Sequence, residues 1–224
     1  MTPAATLDAA RVGRDGALTL RFEQRGAATV VAGCRYTLPL QVLAPVALDD
    51  PAAIVSILNP TGGLVGGDRL SIDVDLAETA GLILVDAFSA GRIALGEAWR
   101  FAALENAVSV RDGRGWLLQD RFVLRGIGTR GPAFDGLGFT ESHPYFASIA
   151  VFGAFDCDRF AADVERLGAG HAAARLGAGV LPRGGVLVRC LAPAAPALVD
   201  AVEGCWRLAR RALLGLPPLA LRKS

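Results

Sequence analysis

Three observations predict a mainly β chain that turns helical only toward its C-terminus. Leu18, Leu20 and Phe22 alternate with Thr19, Arg21 and Glu23, and Leu70, Ile72, Val74 and Leu76 alternate with Ser71, Asp73 and Asp75. A period of two gives each run one face to bury. Gly and Pro punctuate the chain throughout, and strand-like runs never alternate with helical ones in the manner of a doubly wound sheet. A clear helical stripe emerges only after residue 190.

Taken in order, shorter apolar runs at residues 29–34, 38–43, 54–58 and 82–85 read as further strands. Residues 108–110 and 116–118 flank Arg111-Asp112-Gly113-Arg114 and read as a hairpin, since Asp-Gly tolerates the positive φ of a tight turn. Residues 126–138 are the most loop-like interior stretch. Residues 160–176 are Ala-rich and read as helix despite Gly168 and Gly170. In residues 197–214, Leu198, Val202, Cys205, Ala209 and Leu213 fall on one stripe. Arg207, Arg210 and Arg211 suit the helix dipole there, and Gly215 with Pro217-Pro218 ends the element. The expected organisation is one domain over 1–224, β-rich over 15–155 and helix-containing over 156–224.

With 52% hydrophobic and 20% charged residues among 224, the chain can bury a sizeable core, which excludes disorder. A formal net charge of +1 argues against a nucleic-acid binder, which needs a clustered basic excess. Lys223 is the only lysine, a bias that fits genome composition. Cys34, Cys157, Cys190 and Cys205 form no C-x-x-C pair and fit incidental thiols in a reducing compartment. Residues 1–14 show no apolar signal region, and no apolar run approaches the roughly 18 residues that span a bilayer. The expectation is a cytoplasmic protein with no membrane partner.

Several motifs compete for function. Gly62 to Gly67 has the spacing of a phosphate loop, but Asp68 and Arg69 stand where Lys and Ser or Thr belong, and a strand pattern follows. Gly126-Ile-Gly128-Thr-Arg-Gly131 matches a dinucleotide fingerprint, yet Pro132 follows and no helix opens. Ala87-Phe88-Ser89-Ala90-Gly91 lacks the first glycine of a nucleophile elbow, although Asp158, Asp163, His143 and His171 lie downstream; it keeps a serine hydrolase built on Ser89 as the alternative function. His143 and His171 are far apart and pair with no cysteine at ligand spacing. Asp156-Cys157-Asp158 reads as a surface turn.

Asn59-Pro60-Thr61-Gly62-Gly63-Leu64-Val65-Gly66-Gly67-Asp68 resembles the hallmark of the urease accessory D family (UreD, also called UreH), with Leu38-Pro-Leu-Gln-Val-Leu43 ahead of it. Gly91-Arg92-Ile93-Ala94-Leu95-Gly96-Glu97, then Ala98-Trp-Arg-Phe101, resembles the second hallmark, GR-x-A-x-GE followed by a strand. Gly185-Val-Leu-Val-Arg189, the helix through Trp206 and Arg210, and Leu216-Pro-Pro218 are similar too. Where the family carries several more strands, residues 81–86 run straight into the second hallmark, which implies an internal deletion near residues 84–86.

The resemblance implies a stacked or helix-like β-sheet body with about two C-terminal helices. It also implies a non-enzymatic, chaperone-like maturation factor for nickel insertion, working with apo-urease and the F and G accessory proteins, G being a GTPase. No tightly bound cofactor is implied; Ni²⁺ would be cargo in transit, because hard oxygen ligands hold it weakly. Asp68 and Glu97 are the carboxylates implied for a nickel passage or partner contact, Glu97 having a buried pair with Arg92 or Arg100 as its structural alternative. Asn59 and Thr61 are expected to satisfy the backbone of the glycine loop. The missing strands also leave open a truncated family member that no longer supports maturation.

Overall fold

Where apolar and polar residues alternate without interruption, the chain extends and pairs. The structure, a computed structural model, describes residues 15–47, 51–59, 67–126 and 140–217. In chain order the strands are β1 (Asp15–Arg25), β2 (Ala28–Tyr36), β3 (Gln41–Val42), β4 (Val46–Ala47), β5 (Ala53–Ile54), β6 (Ile57–Leu58), β7 (Asp68–Leu76), β8 (Leu82–Ser89), β9 (Ala103–Asp112), β10 (Gly115–Arg125) and β11 (Tyr145–Phe152). Helix α1 (Cys157–Gly170), strands β12 (Arg175–Val180) and β13 (Val186–Ala192), and helix α2 (Ala195–Leu214) follow. The fold is mainly β with two helices late in the chain, as the sequence predicts. It divides into two compact units, Met1–Ala77 with Phe101–Thr129, and Glu78–Arg100 with Arg130–Ser224.

In the first unit a five-stranded sheet runs β10-β9-β7-β1-β2. The β1/β2 and β9/β10 hairpins are antiparallel, while β7 lies parallel to both β1 and β9. Register places Leu20, Val74, Val110 and Leu118 in one buried row, and Leu18, Ile72 and Val108 in the next. Full burial of such side chains contributes roughly 1.5–3 kcal/mol each. The hairpin turn differs in detail from expectation. The left-handed residue is Gly115 (φ 125), and the Asp112 carboxylate accepts the Arg114 N–H at 2.8 Å, so Asp112 shapes the turn through its side chain. Of residues 38–43 only Gln41–Val42 is strand, and residues 54–58 split into the ends of two short ladders, β4/β5 and β3/β6.

In the second unit an antiparallel sheet runs β12-β13-β11-β8, with α1 and α2 packed on one face. Ala147, Ile149 and Val151 of β11 and Val186, Val188 and Cys190 of β13 meet Phe160, Val164, Leu198, Ala201, Cys205 and Ala209 from the helices. Gly204 lets the helices close on each other, since a Cβ there would stand 2.8 Å from Leu167. Strand β8 runs on to Ser89, beyond the expected 82–85. It is unbroken across Leu84–Asp86, paired with Ala150, Ile149 and Ser148 of β11.

The helices correct three expectations. The Asp156 carboxylate accepts the Arg159 N–H at 3.0 Å and caps α1, so Asp156-Cys157-Asp158 is a helix start and not a surface turn. Glycines 168 and 170 weaken the helix, which ends at Gly170. The remaining residues to 176 turn and enter β12, and Leu176 fills the space that Gly168 leaves. Helix α2 ends as expected at Gly215 (φ 65), with its buried stripe on Leu198, Ala201, Cys205 and Ala209. Arg210, however, is 4% exposed. Its Nε donates to the Pro217 carbonyl at 3.3 Å, and its guanidinium lies 5.4 Å from the Trp206 ring centre.

On the polar face of the first sheet, register aligns Arg21, Asp75, Arg111 and Trp116 across four strands. Arg111 donates to Asp75 through Nε and Nη2, the Nη2–Oδ2 bond being 3.1 Å, and lies 5.8 Å from the Trp116 ring centre. That hydrogen-bonded guanidinium holds the Asp75 carboxyl below the usual carboxylate range. Both side chains are largely solvated, so Asp75→Asn should lower the unfolding free energy by less than about 1 kcal/mol at pH 7. A depressed folded pKa gives stability that is present above the unfolded value of about 3.9 and lost as pH falls through the folded one. Urea unfolding curves of the two proteins should therefore differ at pH 7 and converge well below pH ~4; a gap that persists in acid would remove the carboxylate as its source.

Candidate functional site

The first hallmark stretch straddles a strand start. Residues Pro60, Thr61, Gly62, Gly63 and Gly66 lie outside the described residues, as do the 127–131 part of the dinucleotide-like match and most of the loop-like stretch. Gly67 (φ 98) donates its N–H to Ala103 at 2.8 Å, carrying the β7/β9 pairing one residue beyond the strand. Asp68 then opens β7 on its inward face, 2% exposed, ahead of Leu70, Ile72, Val74 and Leu76. Asn106 of β9, also 2% exposed, lies on the same face opposite Leu70, two pairs along from the Asp68–Leu104 pair. Asn59 follows β6 and is half-buried.

The second hallmark stretch, in the other unit, is a loop closed by its own hydrogen bonds. Buried Ala90 donates its N–H to Pro144 at 2.7 Å and accepts the Trp99 N–H at 2.7 Å, pinning both ends. Between them Ile93–Leu95 forms a 3-10 turn, and the Arg92 carbonyl accepts from Leu95 (3.0 Å) and Glu97 (3.3 Å). Gly91 (φ 120) allows the chain to close, because a Cβ there would sit 2.9 Å from the Glu97 carbonyl oxygen. Gly96 (φ 70) is left-handed as well. So is Trp99 (φ 62), at a cost of about 1–3 kcal/mol. That cost is offset by burial: the Trp99 ring, 6% exposed, stacks on Phe146 at 6.3 Å, and Phe146 stacks on Phe88 at 5.3 Å. Residues 98–102 are turn and bend, so the expected strand begins only at Ala103.

This scaffold fixes what the loop displays. Arg92 forks onto Glu97, Nε–Oε2 2.7 Å and Nη2–Oε1 3.0 Å, with side-chain exposures of 73% and 36%. The alternative of a pair with Arg92 is met, but the pair is solvated and not buried. Beside it stands Leu95, 65% exposed, the most exposed large apolar side chain described. Sequence inspection singled out the two glycines and the glutamate and missed Leu95 and Trp99. The glycines at both ends of a short apolar run were the available signal.

Ser89 is the last residue of β8, its hydroxyl donating to the Gly91 carbonyl at 3.3 Å; the chain then enters the 3-10 loop and not a helix, so the nucleophile-elbow context is not formed. His143 Nδ1 lies 3.0 Å from the Thr140 carbonyl, which can only accept, and His171 caps the end of α1. Among the described residues no group of three or more His, Cys, Asp or Glu side chains is placed to hold a metal ion. All four cysteines are free. Cys190 and Cys205, far apart in sequence, meet in the helix–sheet core, and the Cys190 contact together with burial pushes the Cys205 thiol up. No helix among the described residues is long and apolar enough to cross a membrane.

A family model described as UreD urease accessory protein matches residues 14–80 and 71–224. A urease accessory protein UreD of Azoarcus sp. (strain BH72) is 37% identical over 123 residues, 54% of this chain and 42% of that relative. Proteins of the same name from Klebsiella pneumoniae and Klebsiella aerogenes are 42% identical over 60 residues and 40% over 65, or 27% and 29% of this chain and 22% and 24% of theirs. The matched parts thus span less than half the length of each relative.

The two carboxylates should separate on stability. Glu97→Ala, which opens a solvated pair, should cost less than about 1 kcal/mol. Asp68→Ala, inside the first unit, should cost roughly 1–3 kcal/mol. Chemical denaturation measures both, and equal costs would contradict the difference in burial.

Proposed function

We propose that this chain, which belongs to the UreD urease accessory protein family, serves urease maturation as a non-enzymatic scaffold. In this reading it holds apo-urease together with the F and G accessory proteins in the cytoplasm while nickel is inserted. The observation that carries the proposal is the Gly91–Trp99 loop. A loop already closed by its own hydrogen bonds lowers the ordering cost of binding, and an exposed apolar side chain beside a charge pair is the composition of an interface anchor. Leu95 supplies the apolar contact, and Arg92 and Glu97 set its orientation. Asp68, buried at the first position of β7, contributes by holding the start of that strand. Nickel is cargo here, and hard oxygen ligands would release it readily.

An internal deletion near residues 84–86 remains part of the proposal. What supports it is the family match in two parts, which meet over residues 71–80, in β7 and the turn just ahead of β8.

Co-expression with urease and its other accessory proteins tests the scaffold. Leu95→Asp should reduce urease activation at least tenfold and weaken capture of the partners, with an unchanged melting temperature. The exchange Arg92→Glu with Glu97→Arg, which keeps the ion pair and inverts its direction, should do the same. Full activation by both variants would remove the loop from function. An unaltered chain that activates nothing would identify a shortened family member that no longer supports maturation.

For nickel, equilibrium dialysis of the isolated chain should show weak, sub-stoichiometric binding. One tight site that survives mild chelation would refute transit without storage.

A further inference from the structure

Sheet edges are hazards, and proteins blunt them with charges, bulges, prolines or cover. Of the four edges of the two large sheets, three are blunted. β10 carries Asp120, Arg121 and Arg125 and is irregular between Trp116 and Leu118. The β1/β2 ladder shifts register between Arg21 and Phe22, and the start of β2 is bridged by Ala52. β8 carries Asp86 in its middle. Among the described residues the fourth edge, β12, shows none of these devices. Its six residues pair with β13 in unbroken register from Arg175–Leu191 to Val180–Val186. Its one charge, Arg175, sits at its first position and is tied to Glu141. Val180, at its far end, is 46% exposed.

The strand is also self-complementary. Leu176 and Ala178 pack toward the helix layer, while Gly177 and Gly179 face the other way into open space. In an antiparallel pair, residues directly opposite lie on the same face. A two-fold axis through Ala178 sets Ala178 against Ala178, each Leu176 against Val180 of the second copy, and each Gly177 against Gly179. Every large apolar side chain meets another, the glycines meet each other, and the two Arg175 charges stay at opposite ends of the paired strands, opposite Leu181. We infer that β12 is a docking edge for a second copy of this chain, paired antiparallel about Ala178 so that the two four-stranded sheets continue as one. One strand pair buries less than the ~1,000 Å² of a durable interface, so the dimer is weak and depends on concentration. This inference is independent of the urease reading.

Sedimentation equilibrium from roughly 10 µM to 1 mM, the range in which an interface of this size is read, should show a monomer–dimer equilibrium. Val180→Lys, a change at an exposed edge that the monomer tolerates, should weaken it at least tenfold. With Cys34→Ser as background, Ala178→Cys should form an inter-chain disulfide under a mild oxidant. Val180→Cys, which faces Leu176, should not, and circular dichroism confirms that both variants are folded. A chain that stays monomeric throughout, a dimer indifferent to Val180→Lys, or equal cross-linking by the two cysteine variants would each overturn the inference; the first would leave the edge to a strand from another protein.

Discussion

A strand buries alternate residues on each face, and β11 is where that constraint acts from both sides. Ala147, Ile149 and Val151 are buried beneath the helices, while Ala150 and Phe152, on the opposite face, are buried as well. Such a strand has no solvated face and must lie inside its sheet, which is why β8 and β13 flank it. The rest of the second unit follows. Pairing with β13 brings in β12 and the helix layer. Pairing with β8 sets Phe88 against Phe146, and that pair receives Trp99 and stills the loop that β8 feeds. The exposed Arg92–Glu97–Leu95 surface thus depends on a core strand some fifty residues later in the chain.

Electrostatics acts differently in the two units. On the first sheet the ion pairs run along cross-strand rows and favour one register; in water each contributes little. In the loop of the second unit a similar pair joins the two ends of one tight turn. There its use is orientation more than stability, since a forked guanidinium fixes the plane of the carboxylate it grips.

Much of this architecture was legible. The alternation at Leu70–Leu76 and Leu18–Phe22 names the inward face of the first sheet because one face of each strand is apolar and the other wet. The stripe from Leu198 to Ala209 names the buried side of α2 for the same reason at helical period. Legibility fails where both faces are buried or where partners are distant. Residues 82–85 looked like a four-residue strand because Asp86 interrupts the apolar run, yet pairing with β11 carries β8 to Ser89. Residues 171–176 looked helical by composition, and the β12–β13 ladder overrode it. The Cys190–Cys205 contact and the Trp99–Phe146 stack join residues whose spacing carries no signal. Of the candidate site, the glycines and Glu97 were visible as a motif, while the display of Leu95 follows from the left-handed residues and the aromatic stack that hold its backbone.

The interleaving of the two units has a consequence for how the chain is made. Residues 78–100, which belong to the second unit, are synthesised between β7 and β9, which pair side by side in the first. On a ribosome, β7 therefore emerges with one neighbour, β1, and waits with its other side unsatisfied until β9 arrives. Meanwhile β8 emerges before β11, the strand it pairs with. Neither unit completes its sheet from one continuous stretch, so vectorial folding domain by domain is denied to this chain, and such non-local pairing is slow to form. Nascent β7 and β8 are the segments that a trigger-factor-like holdase would have most reason to shield.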